Sequence, residues 1–241
     1  MSKLPLDRIL QSQGFGTRKW CRELIANGDV SVAGEQIFES GLLLDTEMLE
    51  FIVFEERYLF RKQLYIALNK PANYECSRKP SHHPGILSLL PEQFSRRDIQ
   101  PVGRLDHDTT GLLLLSDDGA FIHAQSSPKR HVPKIYIATT YEPITPQLLD
   151  KLLKGVKLKD EGETLTAIGC KQISTHQLEI ELEQGKYHQV KRMLVAAGNH
   201  CIALQRMQIG SLTLASLALK DGEWCFLNEA QLLQLASQST P

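Results

Sequence analysis

The chain has 241 residues, 42% hydrophobic and 23% charged, with a formal net charge of −1. That balance excludes a disordered, collagen-like or membrane-spanning protein and is large enough for one big domain or two smaller ones. Nor does it mark a polyanion binder, so any such role has to rest on local clusters of charge. No apolar run approaches the roughly 18 residues of a membrane span. The polar start Met1-Ser2-Lys3 has no signal-peptide core behind it, so a soluble, cytoplasmic protein is expected. The five cysteines, Cys21, Cys76, Cys170, Cys201 and Cys225, form no Cys-x-x-Cys pair, which argues for reduced thiols and against a thiolate zinc site.

Residues 4–34 read as a small helical unit. Leu6, Ile9 and Leu10 recur at helical spacing until Gly14 and Gly16 interrupt them. Thr17 can cap a second helix, which would carry Trp20, Cys21, Leu24 and Ile25 on one face. Asn27-Gly28-Asp29 is a turn signal, Val30-Ser31-Val32 a short strand and Ala33-Gly34 a second turn. Arg8, Arg18, Lys19 and Arg22 are left for the outer surface. The order Gly16-Thr17-Arg18-Lys19, then Asn27-Gly28-Asp29-Val30-Ser31-Val32-Ala33-Gly34, resembles the S4 RNA-binding module. The resemblance implies that those four basic side chains contact RNA.

Residues 35–56 are acidic, and the apolar residues between the acids suggest short strands that complete the small domain. Charge reverses at Arg57, Arg61 and Lys62, and the domain boundary is placed near 60, giving 1–60 and 61–241. Beyond it, Leu64–Leu68, Leu112–Leu115, Lys134–Thr140 and Gln177–Leu182 read as strands. Pro146–Leu153 and Val190–Ala197 read as helices, the second ended by Gly198-Asn199. The mixture predicts an α+β fold with a mixed, mainly antiparallel sheet.

The most informative stretch is Gly103-Arg104-Leu105-Asp106-His107-Asp108-Thr109-Thr110-Gly111, which runs straight into four leucines. A carboxylate at the edge of a segment that must be buried is costly unless pairing or function holds it there. Three more pieces can converge on it: Asn69-Lys70-Pro71 at a strand end, Lys134-Ile135-Tyr136 with its first and third side chains on one face, and Gly185-Lys186-Tyr187-His188-Gln189-Val190-Lys191-Arg192-Met193 leading into a helix. Asp117-Asp118-Gly119 reads as a turn after the leucine strand rather than part of a metal site.

These segments, in this order, resemble the RNA pseudouridine synthases that modify ribosomal RNA. The resemblance implies isomerisation of uridine to pseudouridine with Asp106 as the catalytic carboxylate, Tyr136 as the active-site aromatic and Lys191 as the cation paired with Asp106, Arg192 being the less favoured candidate for that cation. Arg104, Lys134, His188, Gln189 and Arg192 then become RNA contacts. The subfamily resemblance implies a target in small-subunit RNA, uridine 516 of 16S rRNA, within an assembly intermediate. The reaction is redox-neutral and adds no group, so no cofactor is expected. One departure is Ala72-Asn73, where the family usually has Gly in the second position; Asn tolerates the left-handed backbone such a turn needs.

Basic clusters flank these segments: Lys129-Arg130-His131 with Lys134; Lys70, Arg78 and Lys79 beside His82 and His83; and the acid-free stretch 185–206 with Lys186, Lys191, Arg192 and Arg206. The two-domain plan leads us to expect a monomer. Two other readings share most of these features: the same chemistry on large-subunit RNA, and a non-catalytic S4-type RNA binder.

Overall fold

The computed structural model describes residues 3–127, 130–158 and 161–235. The chain divides into two compact units. One runs to Leu64 and takes in Leu90–Ile99; the other comprises Tyr65–Leu89 and the chain from Gln100 onward.

In the first unit, β1 (Lys3–Pro5) leads into α1 (Leu6–Ser12) and α2 (Arg18–Ala26). β2 (Val30–Val32), β3 (Glu35–Gln36), β4 (Leu43–Asp45), β5 (Glu50–Val53) and β6 (Glu56–Leu59) follow, and the returning segment adds the single turn α3 (Glu92–Ser95). The sheet order is β3-β2-β5-β6, all antiparallel, and β1 pairs with β4. The Thr17 hydroxyl accepts from the Trp20 amide and so caps α2, as its position suggested. Leu6, Ile9, Leu10, Cys21, Leu24 and Ile25 pack with Phe15, Val30, Phe51 and Val53. Trp20 does not join them. It is half exposed, with its ring over Gly16, so the apolar face of α2 is narrower than its spacing suggested. Arg18 and Arg22 both donate to buried Asp7, at 2.8 and 2.7 Å, whereas Arg8 and Lys19 stand exposed. The two guanidinium groups of α2 are therefore oriented by a carboxylate on α1.

The second unit is built on one sheet. Its strands are β7 (Tyr65–Lys70), β8 (Gln100–Val102), β9 (Thr110–Ser116), β10 (Lys134–Thr140), β13 (Gly169–Gln172), β14 (Gln177–Leu182), β15 (Cys201–Ile209), β16 (Leu212–Thr213) and β17 (Trp224–Phe226). The small hairpin β11 (Val156–Lys157) and β12 (Thr164–Leu165) stands apart from it. The helices are α4 (Gly119–Ser126), α5 (Pro146–Lys154), α6 (Gln189–Ala197), α7 (Leu214–Leu217) and α8 (Glu229–Gln234). Strand order is β13-β14-β10-β15-β9-β7-β17, with β16 on β15 and β8 on β9. Within this sheet every strand pairing among the described residues is antiparallel except β15 with β9, so the sheet is mixed and mainly antiparallel, as the sequence led us to expect. Leu112 to Leu115 are all fully buried because both sheet faces are covered; this is why the run is continuous rather than alternating. Asp118 is a helix cap rather than a plain turn residue: its carboxylate accepts from the Ala120 and Phe121 amides and from the Tyr65 hydroxyl.

Gly111 makes the parallel pairing possible. Its φ is +100°, and a Cβ there would lie 2.3 Å from the Arg206 carbonyl oxygen and 2.8 Å from the Arg206 nitrogen. Both atoms are backbone and cannot step aside. Gly111→Ala is expected to destabilise the protein by at least ~3 kcal/mol, combining overpacking with a disfavoured φ. Urea denaturation would measure it, and a loss under 1 kcal/mol would show that β15 can move away.

Candidate active site

Asp106 lies on the loop between β8 and β9, at an end of the sheet, where the sequence placed it. Two features fix this loop. Gly103 takes φ +74°. Lys70, at the end of β7, is fully buried and its ammonium donates to three backbone carbonyls: Pro71 at 3.0 Å, His107 at 3.1 Å and Thr109 at 2.8 Å. Lys70 is therefore not part of a solvent-facing basic cluster, as the sequence suggested; it is an internal clamp on the loop that carries Asp106. Asn73 does adopt the left-handed conformation (φ 65°), and its amide donates to the His107 carbonyl at 2.7 Å. Burial lowers the Lys70 pKa, and the nearby Cys76, Asp108 and Asp106 oppose that shift.

The Asp106 carboxylate is held on both oxygens. Lys191 Nζ lies 3.2 Å from Oδ2, and His188 Nε2 lies 3.0 Å from Oδ1. Lys191 comes from the first turn of α6 and is shared: it also donates to both oxygens of Asp108, at 2.7 and 2.8 Å. Burial alone would lower the Lys191 pKa, but the two carboxylates raise it above its ordinary value. Burial likewise works against the Asp108 anion, and Lys191 nonetheless holds its pKa below the usual range. The expected pair is thus a carboxylate–ammonium–carboxylate chain with an imidazole at its Asp106 end. His188 had been expected to face RNA. It sits just before α6 in the left-handed region (φ 47°), with the exposed Tyr187 ring stacked on it at 3.8 Å. A side chain other than Gly at such a backbone is costly unless its surroundings impose it, which fits a residue aimed at a carboxylate.

Asp106 opens onto a cleft of about 500 Å³, lined also by Arg104, Lys134, Tyr136, His188, Gln189 and Arg206. Alternation along β10 places Lys134 and Tyr136 on the same side, and Tyr136 is buried. Arg104 is exposed at the rim. Gln189 is buried; its carboxamide accepts from the Lys186 amide and donates to the Met193 sulfur. Lys186 and Arg192 both pair with Glu161, at 3.2 and 3.3 Å. The acid-free look of 185–206 is thus deceptive, because its counter-charge arrives from the β11–β12 connection. Of the other expected basic cluster, Lys129 lies outside the described residues, and His131 pairs with Glu183 at 3.1 Å. The five cysteines are all free. No cluster of three or more metal-binding side chains occurs among the described residues, and no described helix is long and apolar enough to cross a membrane.

Lys134 is an unusual cation. Burial, and then the neighbouring Arg206 charge, push its pKa down to about 8, and its ammonium donates to the Val132 carbonyl at 2.8 Å. An unfolded lysine titrates near 10.4. Between about pH 8 and 10.4 the unfolded chain therefore binds more protons at this position, and stability contributed by it rises with pH in that window. Below pH 8 the charge is a standing cost. Lys134→Met is expected to raise stability at pH 7 by about 1–3 kcal/mol while impairing activity. Thermal denaturation at pH 7 and pH 9.5 tests this; equal Tm differences at both pH values would sink it.

The chain matches the RNA pseudouridylate synthase family over residues 64–196. It is 38% identical over 229 residues to the ribosomal small subunit pseudouridine synthase A of Escherichia coli K12, covering 94% of this chain and 97% of that protein. An uncharacterised RNA pseudouridine synthase of Bacillus subtilis is 33% identical over 232 residues, with 94% and 96% covered. A crystal structure of a pseudouridylate synthase superposes with a TM-score of 0.68 at 30% identity, covering 96% of this chain and 99% of that one. Fold, motif order and likeness across nearly the whole length lead to one conclusion: the chain belongs to the RNA pseudouridylate synthase family, and is an isomerase that converts uridine to pseudouridine.

Proposed function

We propose that this enzyme isomerises one uridine of small-subunit ribosomal RNA, uridine 516 of 16S rRNA, in an assembly intermediate in the cytoplasm, acting as a monomer and needing no cofactor. The names of its relatives support the small-subunit target. The observation that carries the chemistry is Asp106, ionically held by Lys191 and hydrogen-bonded by His188 at the mouth of a cleft whose floor carries Tyr136. The carboxylate attacks the ribose at C1′ or removes the proton at C2′. In either case the C1′–N1 bond breaks, the base turns, and C5 bonds to C1′. Tyr136 stacks on the uracil, and Lys191 holds the Asp106 carboxylate in place by its ion pair. Extruding the base costs a few kcal/mol, which phosphate contacts from Arg104, Arg192 and the S4-like first unit offset. Residues 1–60 supply Arg8, Arg18, Lys19 and Arg22 for that purpose, with Trp20 as an exposed aromatic beside them.

The test is pseudouridine mapping by carbodiimide modification and primer extension. The RNA is small-subunit rRNA from cells lacking this gene, free and in partly assembled particles. A new stop at uridine 516 is expected. A stop only on large-subunit RNA would move the target, and no stop on either would leave the protein a non-catalytic RNA binder.

A further inference from the structure

Arg206 is almost completely buried on β15, 2% exposed. Its Nε donates to the Leu112 carbonyl at 2.7 Å, and its Nη2 has no hydrogen-bond partner among the described residues. A buried guanidinium nitrogen without an acceptor costs about 1–3 kcal/mol or more, so an orphan donor of this kind calls for an explanation. No carboxylate in ion-pair range of either Arg206 or Lys134 occurs among the described residues. Both side chains line the cleft that Asp106 also lines. Three other orphan polar atoms, Thr109 Oγ1, Gln125 Oε1 and Gln184 Oε1, belong to residues lining the same cleft. The cleft is built for a polar occupant, and its buried cations are built for an occupant that carries negative charge.

A register shift puts Arg206 there. On β15, Gln208 pairs with Ile135, but the next residue of β10, Tyr136, pairs with Arg206, so Met207 is the extra residue of a bulge. Without the bulge Tyr136 would face Met207, and Arg206 would point through the opposite side of the sheet. With it, Arg206 stands directly beside Tyr136 on the cleft side.

We propose that Arg206, backed by Lys134, is a catalytic residue that donates from Nη2 to a carbonyl oxygen of the target uracil and stabilises the negative charge the base acquires on detachment. This rests on the reading of the cleft as the uridine site. When the C1′–N1 bond breaks, its electron pair stays with the base, and the charge spreads from N1 onto the carbonyl oxygens. When C5 bonds to C1′, C5 loses its proton and N1 gains one, so the products balance as an isomer. Charge is present on the base only between those events. A fixed, desolvated cation aimed at that oxygen therefore strengthens binding to the transition state more than to neutral uridine. A backbone phosphate is the other anion that could sit here, but its charge does not change during the reaction.

The experiment compares wild type, Arg206→Met, Arg206→Lys and Asp106→Asn on small-subunit rRNA transcribed in vitro with either uridine or 5-fluorouridine. Single-turnover rates are read by mass spectrometry of nucleoside digests, scoring loss of the parent nucleoside at the target. Arg206→Met is expected to slow the uridine reaction roughly 10²–10³-fold with RNA affinity unchanged within about twofold. On 5-fluorouridine the loss should shrink by about tenfold, because fluorine itself stabilises the detached anion. Arg206→Lys, which keeps the charge without the planar fork, should recover part of the rate. Equal losses on the two RNAs overturn the proposal. So does weakened RNA binding with its salt slope reduced by about 1 and the bound-state rate intact, which would mark a phosphate contact. Should Arg206→Met fail to fold by circular dichroism, Arg206→Lys read on the same two RNAs decides by the same ratio. Wild type inactive on the transcript, or Asp106→Asn as active as wild type, would instead count against the underlying reading of the site.

Discussion

Asp106→Asn is expected to reduce the single-turnover rate by at least ~10³-fold while leaving RNA affinity the same or slightly tighter. The replacement is isosteric, and Lys191 and His188 keep an oxygen or nitrogen to bond at each position. What disappears is the anion. An amide neither forms the bond to C1′ nor accepts a proton from C2′, so both routes close together. Removing a negative charge from a cleft that takes a polyanion explains the slight gain in affinity. Rates measured with enzyme in excess, alongside filter-binding affinities, separate the two effects. More than about 1% residual turnover would disprove the role, and a large loss of affinity would make Asp106 structural.

Lys70→Met is expected to lower turnover by about 10²-fold although Lys70 lines no part of the cleft. Its ammonium ties together the carbonyls of Pro71, His107 and Thr109, on either side of Asp108 and next to Asp106. Methionine fills similar volume but donates nothing, so the loop loses three fixed points. Stability should change less than catalysis, because the lost hydrogen bonds are set against relief of a buried charge. The measurement is the rate with RNA saturating, paired with a urea midpoint. Unchanged turnover at unchanged stability would mean that Asn73 and Gly103 hold the loop without help.

The strands and the helix behind Lys191 were legible in the sequence, because their periodicity and caps are local properties. Lys134–Thr140 and Gln177–Leu182 have the bounds the alternation suggested, and α6 starts one residue earlier than its periodic run. Cross-strand and cross-loop placements were hidden. Lys70 reads as an exposed cation because nothing along β7 reveals the three carbonyls waiting for it. Glu161 neutralises Lys186 and Arg192 from a hairpin distant in sequence. The facing of Arg206 depends on a one-residue bulge, and period-two counting has no means of placing one. Trp20 fits an apolar helical stripe by number and is left outside it because Gly16 gives its ring a seat on the surface. The grouping of residues 90–99 with the first unit leaves no mark in composition.

The position of β15 in the sheet has a consequence for biosynthesis. It lies between β10 and β9, so among the described residues it alone joins the group β13-β14-β10 to the group β9-β7-β17, and it follows all of these strands but β17 in the chain. Until residues 201–209 are available, Asp106 and Tyr136 belong to fragments with no edge in common. Such long-range closure is slow and comes late. A chain interrupted before β15 is therefore expected to be inert, and the strand edges of β10 and β9 that it leaves unpaired make it a candidate for aggregation or proteolysis. The pairing of β15 is thus the step that brings Asp106 and Tyr136 to one sheet, and copies lacking it are expected not to act on any RNA around them.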